Sequence, residues 1–236
     1  MENVRLAVME LGWNNPQGDD IPAFFSEVRS AGYEGVSGFE HQGWEPYLDR
    51  PAEFGRMLDA EGLAVASMDI ETGADYDLVR RTCAFMAELG SEILVCLGGK
   101  GTAADTYESL APVLNAIGRI SNEHGIRTHY HNGRTREPIA DMETVYDHVD
   151  PSLVYRMCDT GHATRDFLEI ESPSERAPYF LSKHWDQMGF VEFKDWREDT
   201  GLDTPVGCHF HRSRTPSETR SVLVVTRRAT RDRPQV

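Results

Sequence analysis

The sequence predicts an α/β fold, namely a TIM-type (β/α)8 barrel that is incomplete or irregular at its C-terminal end. Three observations support this prediction. A helix–glycine–strand pattern recurs along the chain, strand-like runs begin about thirty residues apart, and runs such as ILVCL are apolar on both faces, as helix-covered parallel strands are. A doubly wound open sheet is the alternative, but no GxGxxG motif follows the first strand-like run.

Each repeat consists of an amphipathic helical stretch, a glycine and an apolar strand. Glycine is common just past a helix because it lacks the Cβ atom that penalises positive φ. The predicted helices are Phe24–Ala31, Ala52–Glu61, Leu78–Leu89 and Leu110–His124, followed by Gly32, Gly62, Gly90 and Gly125. The predicted strands are Val4–Glu10, Gly35–Glu40, Ala64–Ile70, Glu92–Leu97, Arg127–Asn132, Val154–Thr160 and Phe190–Asp195.

The eighth strand is the weak point of the predicted barrel. After Asp195 the chain has no helical apolar period and contains several helix breakers, and Ser221–Thr226 is a short candidate for the closing strand. We expect residues 1–206 to form the barrel and residues 207–236, with seven arginines and two acidic residues, to form an atypical, partly disordered tail. Otherwise the barrel is incomplete, or another chain fills the gap.

Composition narrows the class of protein. A chain of 236 residues suits one large domain. Its net charge of −15 argues against a broad electrostatic contact with nucleic acid or an anionic membrane. No apolar run approaches the ~20 residues of a membrane span, and the N-terminus has no signal-peptide pattern. The four cysteines lie far apart without a CxxC motif, which predicts reduced, buried thiols and a cytoplasmic location.

Two clusters of metal-binding side chains end neighbouring strand-like runs: His-Tyr-His-Asn at 129–132 and Cys-Asp-Thr-Gly-His at 158–162. Parallel strands would bring both clusters to one edge of the sheet, where α/β folds bind ligands. Alternate residues of a strand share a face, so His129 and His131 should point the same way. Imidazoles beside a carboxylate commonly hold a divalent cation.

Ionisable side chains also lie at the ends of the other predicted strands, which predicts a polar ring around one mouth of the barrel. Its further members are Glu10, Glu40, His41, Asp69, Glu71, Lys100, Glu192, Lys194 and Asp195, with Trp13, Asn14 and Asn15 beside the first strand. Ordinary loop polarity is the alternative explanation. Glu192 lies between Val191 and Phe193, where a carboxylate needs a partner, either a cation or Lys194. Trp13 and Trp44 are candidates for an apolar wall of the site or for the core.

Five segments, in order, resemble the xylose isomerase-like TIM barrel superfamily, which includes sugar phosphate isomerases and epimerases and inosose dehydratase. They are GWNNP, AGYEGVSGFE, HYHNG, DTGHATRDF and FVEFKDW, within residues 4–206, and DTGH is the most specific. The resemblance implies a divalent ion (Mn, Co, Mg or Zn) at the barrel mouth. Asp159 matches the family's aspartate ligand, and His162 matches the histidine that follows it.

The chain also departs from the family pattern. His129 stands where epimerases have a glutamate, Glu192 stands where the family has a histidine, and no glutamate matches the one on the eighth strand. The two-base epimerase mechanism is therefore weakened. A site with His129, Asp159 and Glu192 as metal ligands would still leave positions open for substrate oxygens.

These residues predict an isomerase, epimerase or dehydratase that acts next to the carbonyl of a sugar, sugar phosphate or cyclitol through an enediolate. His131 or His162 is the candidate base, because imidazole titrates near neutral pH, and Lys194 would polarise an oxygen. His162 is alternatively a metal ligand. The expected substrate contacts are Trp13, Asn14, Glu40, His41 and Asn132.

Two other functions remain open at this point. A phosphodiesterase like endonuclease IV would need more ligands and a cationic track for DNA, which the acidic composition opposes. A degenerate, non-catalytic barrel or partner subunit would explain the missing glutamate. The expected partner is a small polyhydroxylated molecule, and an open barrel edge would favour a homo-oligomer.

Overall fold

Eight strands close into a barrel in sequence order, from β1 next to β2 round to β8 next to β1. The computed structural model describes residues 6–10, 16–39, 43–133, 138–194 and 223–226. The strands are β1 (Leu6–Met9), β2 (Gly35–Phe39), β3 (Ala64–Glu71), β4 (Ile93–Leu97), β5 (Arg127–Tyr130), β6 (Val154–Asp159), β7 (Met188–Phe193) and β8 (Leu223–Thr226). The helices are α1 (Asp20–Ser30), α2 (Pro51–Glu61), α3 (Tyr76–Glu88), α4 (Tyr107–Glu123), α5 (Ile139–Glu143), α6 (Thr160–Asp166) and α7 (Pro173–His184).

The repeating unit predicted from the sequence is confirmed over the first half of the chain. All seven predicted strands and all four predicted helices are present, with ends that differ by a few residues. The four glycines predicted to end helices have φ between 65° and 92°. These glycines turn the chain from the outer helices back into the barrel, so the helix-then-strand alternation follows from local sequence.

The closing strand departs from the regular barrel, because β8 runs antiparallel to both of its neighbours. Leu223 pairs with Val8 and Phe193, at the end where the parallel strands finish, and Thr226 pairs with Phe190 further down. The prediction of a barrel irregular at its C-terminal end is confirmed. The strand lies within residues 207–236, so the closed barrel includes part of the segment that the sequence analysis set apart as a tail.

Apolar side chains fill both surfaces of the sheet. The barrel interior contains Ala7, Met9, Ile93, Val95, Leu97, Met157 and Phe190, all buried. Outside the sheet, Phe54 lies between the rings of Phe25, Trp44 and Phe85, with centroids 4.9 to 5.4 Å apart. Trp44 is fully buried there among the core side chains.

The part of the barrel after β5 was harder to predict, since α5, α6 and α7 are short or contain proline. Pro173 begins α7, where a missing N–H is tolerated, and Pro178 lies inside the helix. Ala177 and Phe180 of α7 pack in one buried cluster with Phe167 and with Cys158 of β6. Among the described helices, none combines the length and apolarity that crossing a membrane requires.

Two helical glycines give a matched test of packing. A Cβ atom on Gly118 in α4 would lie 2.8 Å from the carbonyl oxygen of Leu153, whereas one on Gly55 in α2 would meet only the tip of Leu89 at 3.3 Å. We expect Gly118→Ala to destabilise the protein by about 1–3 kcal/mol through overpacking. Gly55→Ala should be neutral or stabilise by up to about 1 kcal/mol through helix propensity. Urea unfolding measures both; equal effects would contradict the packing described for α4.

Candidate active site

The candidate site lies where β5, β6 and β7 end. His131, Asp159 and Glu192 are between 0 and 4% exposed. Asp159 is directly paired with Glu192 across β6 and β7. The Nε2 atom of His131 lies 3.6 Å from Asp159 Oδ2 and 3.5 Å from Glu192 Oε2. Three strands thus converge on one buried group of two carboxylates and an imidazole.

Asn132 fixes the position of Asp159. Its side-chain oxygen accepts a hydrogen bond from the Asp159 backbone N–H at 2.6 Å, and its side-chain nitrogen donates to the Asp159 carbonyl at 3.0 Å. The amide therefore continues the pairing of β5 and β6 two residues beyond Tyr130, the last residue of β5. Asn132 was predicted as a substrate contact; the structure places its polar atoms on the backbone of Asp159.

The two oxygens of the Asp159 carboxylate have separate partners. Oδ1 accepts from the backbone N–H of His162 at 2.9 Å, which caps the N-terminus of α6. Oδ2 accepts from Nζ of Lys194 at 3.1 Å. Burial would raise the pKa of Asp159, but the neighbouring His162, Lys194 and His131 hold this pKa well below its usual value. Asp159 is therefore a buried carboxylate anion.

His162 presents one particular nitrogen to the site. Its Nδ1 atom lies 3.1 Å from the carbonyl oxygen of Asn132, which can only accept, so Nδ1 carries the proton. The lone pair is then on Nε2, 3.3 Å from Lys194 Nζ. Burial lowers the pKa of His162 to about 3. The ring is neutral with its lone pair towards the cluster, which is the form that binds a metal ion or accepts a proton.

His131 has the opposite electrostatic environment. Burial favours its neutral form, but Asp159 and Glu192 outweigh this effect and raise its pKa to about 9. Its Nδ1 atom is buried with no hydrogen-bond partner among the described residues. His131 thus supplies positive charge to the cluster and retains an unused polar atom.

His129 points to the same face as His131, as predicted, but it lies one layer deeper. Alternate residues of a strand are about 7 Å apart along its axis, so only one of the two can reach the end of the barrel. The ring of His129 lies 5.6 Å from Tyr155 and 6.1 Å from Phe190. Burial lowers its pKa to about 3. The structure does not bring His129, a predicted metal ligand, to the cluster.

One group of three residues has the spacing of a metal site within the described chain. The ligand atoms of His131, Asp159 and His162 all lie within 4.8 Å of one another. Two imidazoles and a carboxylate suit borderline divalent ions such as Zn, Co and Mn. Glu192, the other predicted ligand, lies beside this group in contact with His131. The donor set therefore fits a divalent cation.

Other predicted site residues are placed differently or not described. Trp13, Asn14, Glu40 and His41 lie outside the described residues, as does Asp195. Glu10, directly after β1, and Asp69, within β3, are both buried.

Gly133 is a site residue that the sequence analysis did not identify. It has φ of 94°, and a Cβ atom there would lie 2.7 Å from Cβ of His162. Its carbonyl accepts from the Arg165 guanidinium at 2.6 Å. The Asn-Gly pair directly after a strand was the available signal, since this pair favours a left-handed turn.

Fold and site together define a closed α/β barrel with a carboxylate–imidazole centre at the end where its parallel strands finish. The chain belongs to the xylose isomerase-like TIM barrel family, whose model matches residues 25–218. It is similar to the inosose dehydratase of Salmonella agona, with 27% identity covering 84% of this chain and 72% of that protein.

Solved structures support the same fold. A sugar phosphate isomerase/epimerase from Parabacteroides distasonis has a TM-score of 0.60 at 14% identity, covering 86% of this chain and 80% of that one. A xylose isomerase-like TIM barrel protein from Mycobacterium smegmatis, in complex with magnesium, has a TM-score of 0.59 at 17% identity, covering 85% and 79%. At these identities the likeness concerns the fold alone.

The role of Asn132 can be tested by its effect on stability. Asn132→Ala removes two hydrogen bonds to a buried backbone, so we expect a loss of about 2–4 kcal/mol of unfolding free energy. Asn115→Ala is the matched control, because Asn115 accepts one exposed bond from the Asp150 N–H and should cost about 1 kcal/mol or less. A normal stability with only a raised KM would instead indicate a substrate contact.

The buried, neutral His129 predicts an acid-sensitive fold. The unfolded chain binds a proton at His129 below its ordinary pKa of 6.5, while the folded chain does so only near 3. Unfolding therefore takes up protons, and stability falls as the pH is lowered through this window. In EDTA, His129→Gln should reduce the slope of unfolding free energy against pH by up to about 1.4 kcal/mol per unit.

The exposed His148 provides the control for this measurement. His148→Gln removes a histidine from the surface and should leave the wild-type slope. An unchanged slope in His129→Gln would show that His129 takes up its proton in the folded protein.

Proposed function

We propose that this chain is a metal-dependent enzyme that removes a proton next to a carbonyl of a small polyhydroxylated substrate. We further propose that it eliminates water from a cyclic polyhydroxy ketone of the inosose type. The observation that carries the proposal is the buried group of His131, Asp159 and His162, with a second carboxylate and an ammonium group in contact with it. Relatives named inosose dehydratase support the substrate class.

His131, Asp159 and His162 would hold the metal ion. This set replaces the predicted set of His129, Asp159 and Glu192, because His129 lies a layer below. When bound, a divalent cation supplies positive charge that stabilises a carbonyl oxygen as the neighbouring C–H bond loses its proton. The magnesium complex of the Mycobacterium smegmatis protein supports a cation in a barrel of this kind.

The remaining groups of the cluster have separate roles in proton transfer. Glu192 is the carboxylate outside the three-residue set, so it is the candidate base that accepts the proton from carbon. Lys194, held near Asp159, would donate a hydrogen bond to the substrate oxygen on which negative charge develops. Burial of Glu192 keeps bulk water from competing for the proton.

Relatives named inosose dehydratase favour elimination over two-base epimerisation. With Glu192 as the base, the α proton would pass to its carboxylate and from there to the β-hydroxyl, which leaves as water as its C–O bond breaks and a C=C bond forms. The net charge of −15 argues against nucleic acid as a substrate.

The test follows an inosose in D2O by NMR, with Mn²⁺ added to protein freed of metal. We expect loss of water from the ketone by the wild-type protein. Glu192→Gln should bind Mn²⁺ normally yet lose at least about a hundredfold of the rate, in line with the usual effect of removing a general base. Asp159→Asn should lose both Mn²⁺ binding and activity.

Two outcomes would contradict the proposal. A wild-type protein that binds no divalent ion in calorimetry would remove the metal from the mechanism. Full activity in Glu192→Gln would remove the assigned base. Glu169→Gln, on an exposed carboxylate, is the matched control and should keep the wild-type rate.

A further inference from the structure

Lys194 makes direct contact with the centre through its side chain. Its ammonium nitrogen lies 3.1 Å from Asp159 Oδ2 and 3.3 Å from His162 Nε2. The side chain of Lys194 is only 13% exposed and that of Asp159 is fully buried. A lysine side chain is ordinarily an ammonium cation, and here it lies in direct contact with the buried carboxylate of Asp159.

These two contacted atoms belong to the candidate metal-binding set. Nδ1 of His162 is engaged by the Asn132 carbonyl, so Nε2 is the atom available to a metal ion. Oδ1 of Asp159 caps α6, which leaves Oδ2 as the oxygen facing His131 and Lys194. An ammonium group and a divalent ion would thus need the same lone pairs.

The backbone of Lys194 is held in place. Its N–H donates to Thr160 Oγ1 and its carbonyl accepts from the same hydroxyl, both at 2.9 Å. Thr160 directly follows Asp159, so these two hydrogen bonds link the end of β7 to the end of β6. The ammonium group can leave the centre only by rotation of its side chain, and it stays at high effective concentration beside the donors.

We infer that Lys194 is a built-in competitor for the metal-binding atoms and sets the affinity of the centre for divalent ions. The inference rests on the proposed metal site and adds a determinant of its strength. A divalent ion must displace the ammonium from Asp159 and His162, so binding is weaker than the donors alone would allow. The displaced ammonium is then free to contact substrate, which connects ion binding with the catalytic use of Lys194.

The experiment measures Mn²⁺ binding by calorimetry and by the rise in melting temperature after treatment with EDTA. Lys194→Met keeps the length of the side chain without its charge. We expect it to bind Mn²⁺ at least tenfold more tightly than wild type, to melt lower without the ion and to gain more stability from it. Lys194→Arg keeps a cation and should bind no more tightly than wild type.

Lys183→Met is the matched control, since it removes a charge from the half-exposed Lys183 near Glu143 and should keep wild-type affinity. Equal or weaker Mn²⁺ binding by a folded Lys194→Met would overturn the inference and leave the proposed metal site intact. Absence of binding by wild type and variant alike would overturn both.

A second measurement uses the wild-type protein and does not depend on a variant that folds. Acetylation of individual lysines by acetic anhydride is followed by mass spectrometry with and without Mn²⁺. Displacement predicts that Lys194 is acetylated faster when the ion is bound, while Lys183 is unchanged. An unchanged rate at Lys194 under saturating Mn²⁺ would overturn the inference.

Discussion

The carboxylate of Asp159 is the interaction point on which the site depends. Its backbone is held by the amide of Asn132, one oxygen caps α6, and the other accepts from Lys194. One side chain therefore ends a strand, begins a helix and supplies the main negative charge of the centre. These roles share one geometry, so a change in β5, α6 or β7 moves the same two oxygens.

Burial makes this arrangement demanding. An unpaired ion in a protein interior loses several kcal/mol of hydration, and the centre buries both Asp159 and Glu192. Lys194 and the protonated form of His131 compensate these charges within hydrogen-bonding or near-contact distance. A single divalent ion at the proposed site would compensate the same two negative charges. In the described structure the protein's own cations balance the centre, and under the proposed function a metal ion would take over this role.

Much of the architecture was accessible from the sequence because it depends on local patterns. Apolar runs such as residues 93–97 indicate strands that are covered by helices, and the glycines after α1 to α4 indicate where each helix ends. The helices after β5 could not be predicted from the sequence in this way. Pro178 interrupts the apolar period of α7, which is stabilised by packing of Phe180 on Phe167. The spacing of apolar residues predicts the buried face of a helix only where the helix is long enough to contain several turns.

The sequence by itself determined the residue types of the site, because it places His131, Asp159, His162, Glu192 and Lys194 at or near the ends of neighbouring strands. Only the tertiary structure decided which imidazole reaches the centre. It also decided that the Asn132 side chain binds the backbone of Asp159 and that β8 pairs antiparallel with its neighbours. The physical reason is that sequence patterns reflect local interactions, whereas these features depend on contacts between distant segments. Strand periodicity assigns a side chain to a face, but depth along the barrel, the partner of each polar atom and the direction of a closing strand depend on packing between segments distant in the chain.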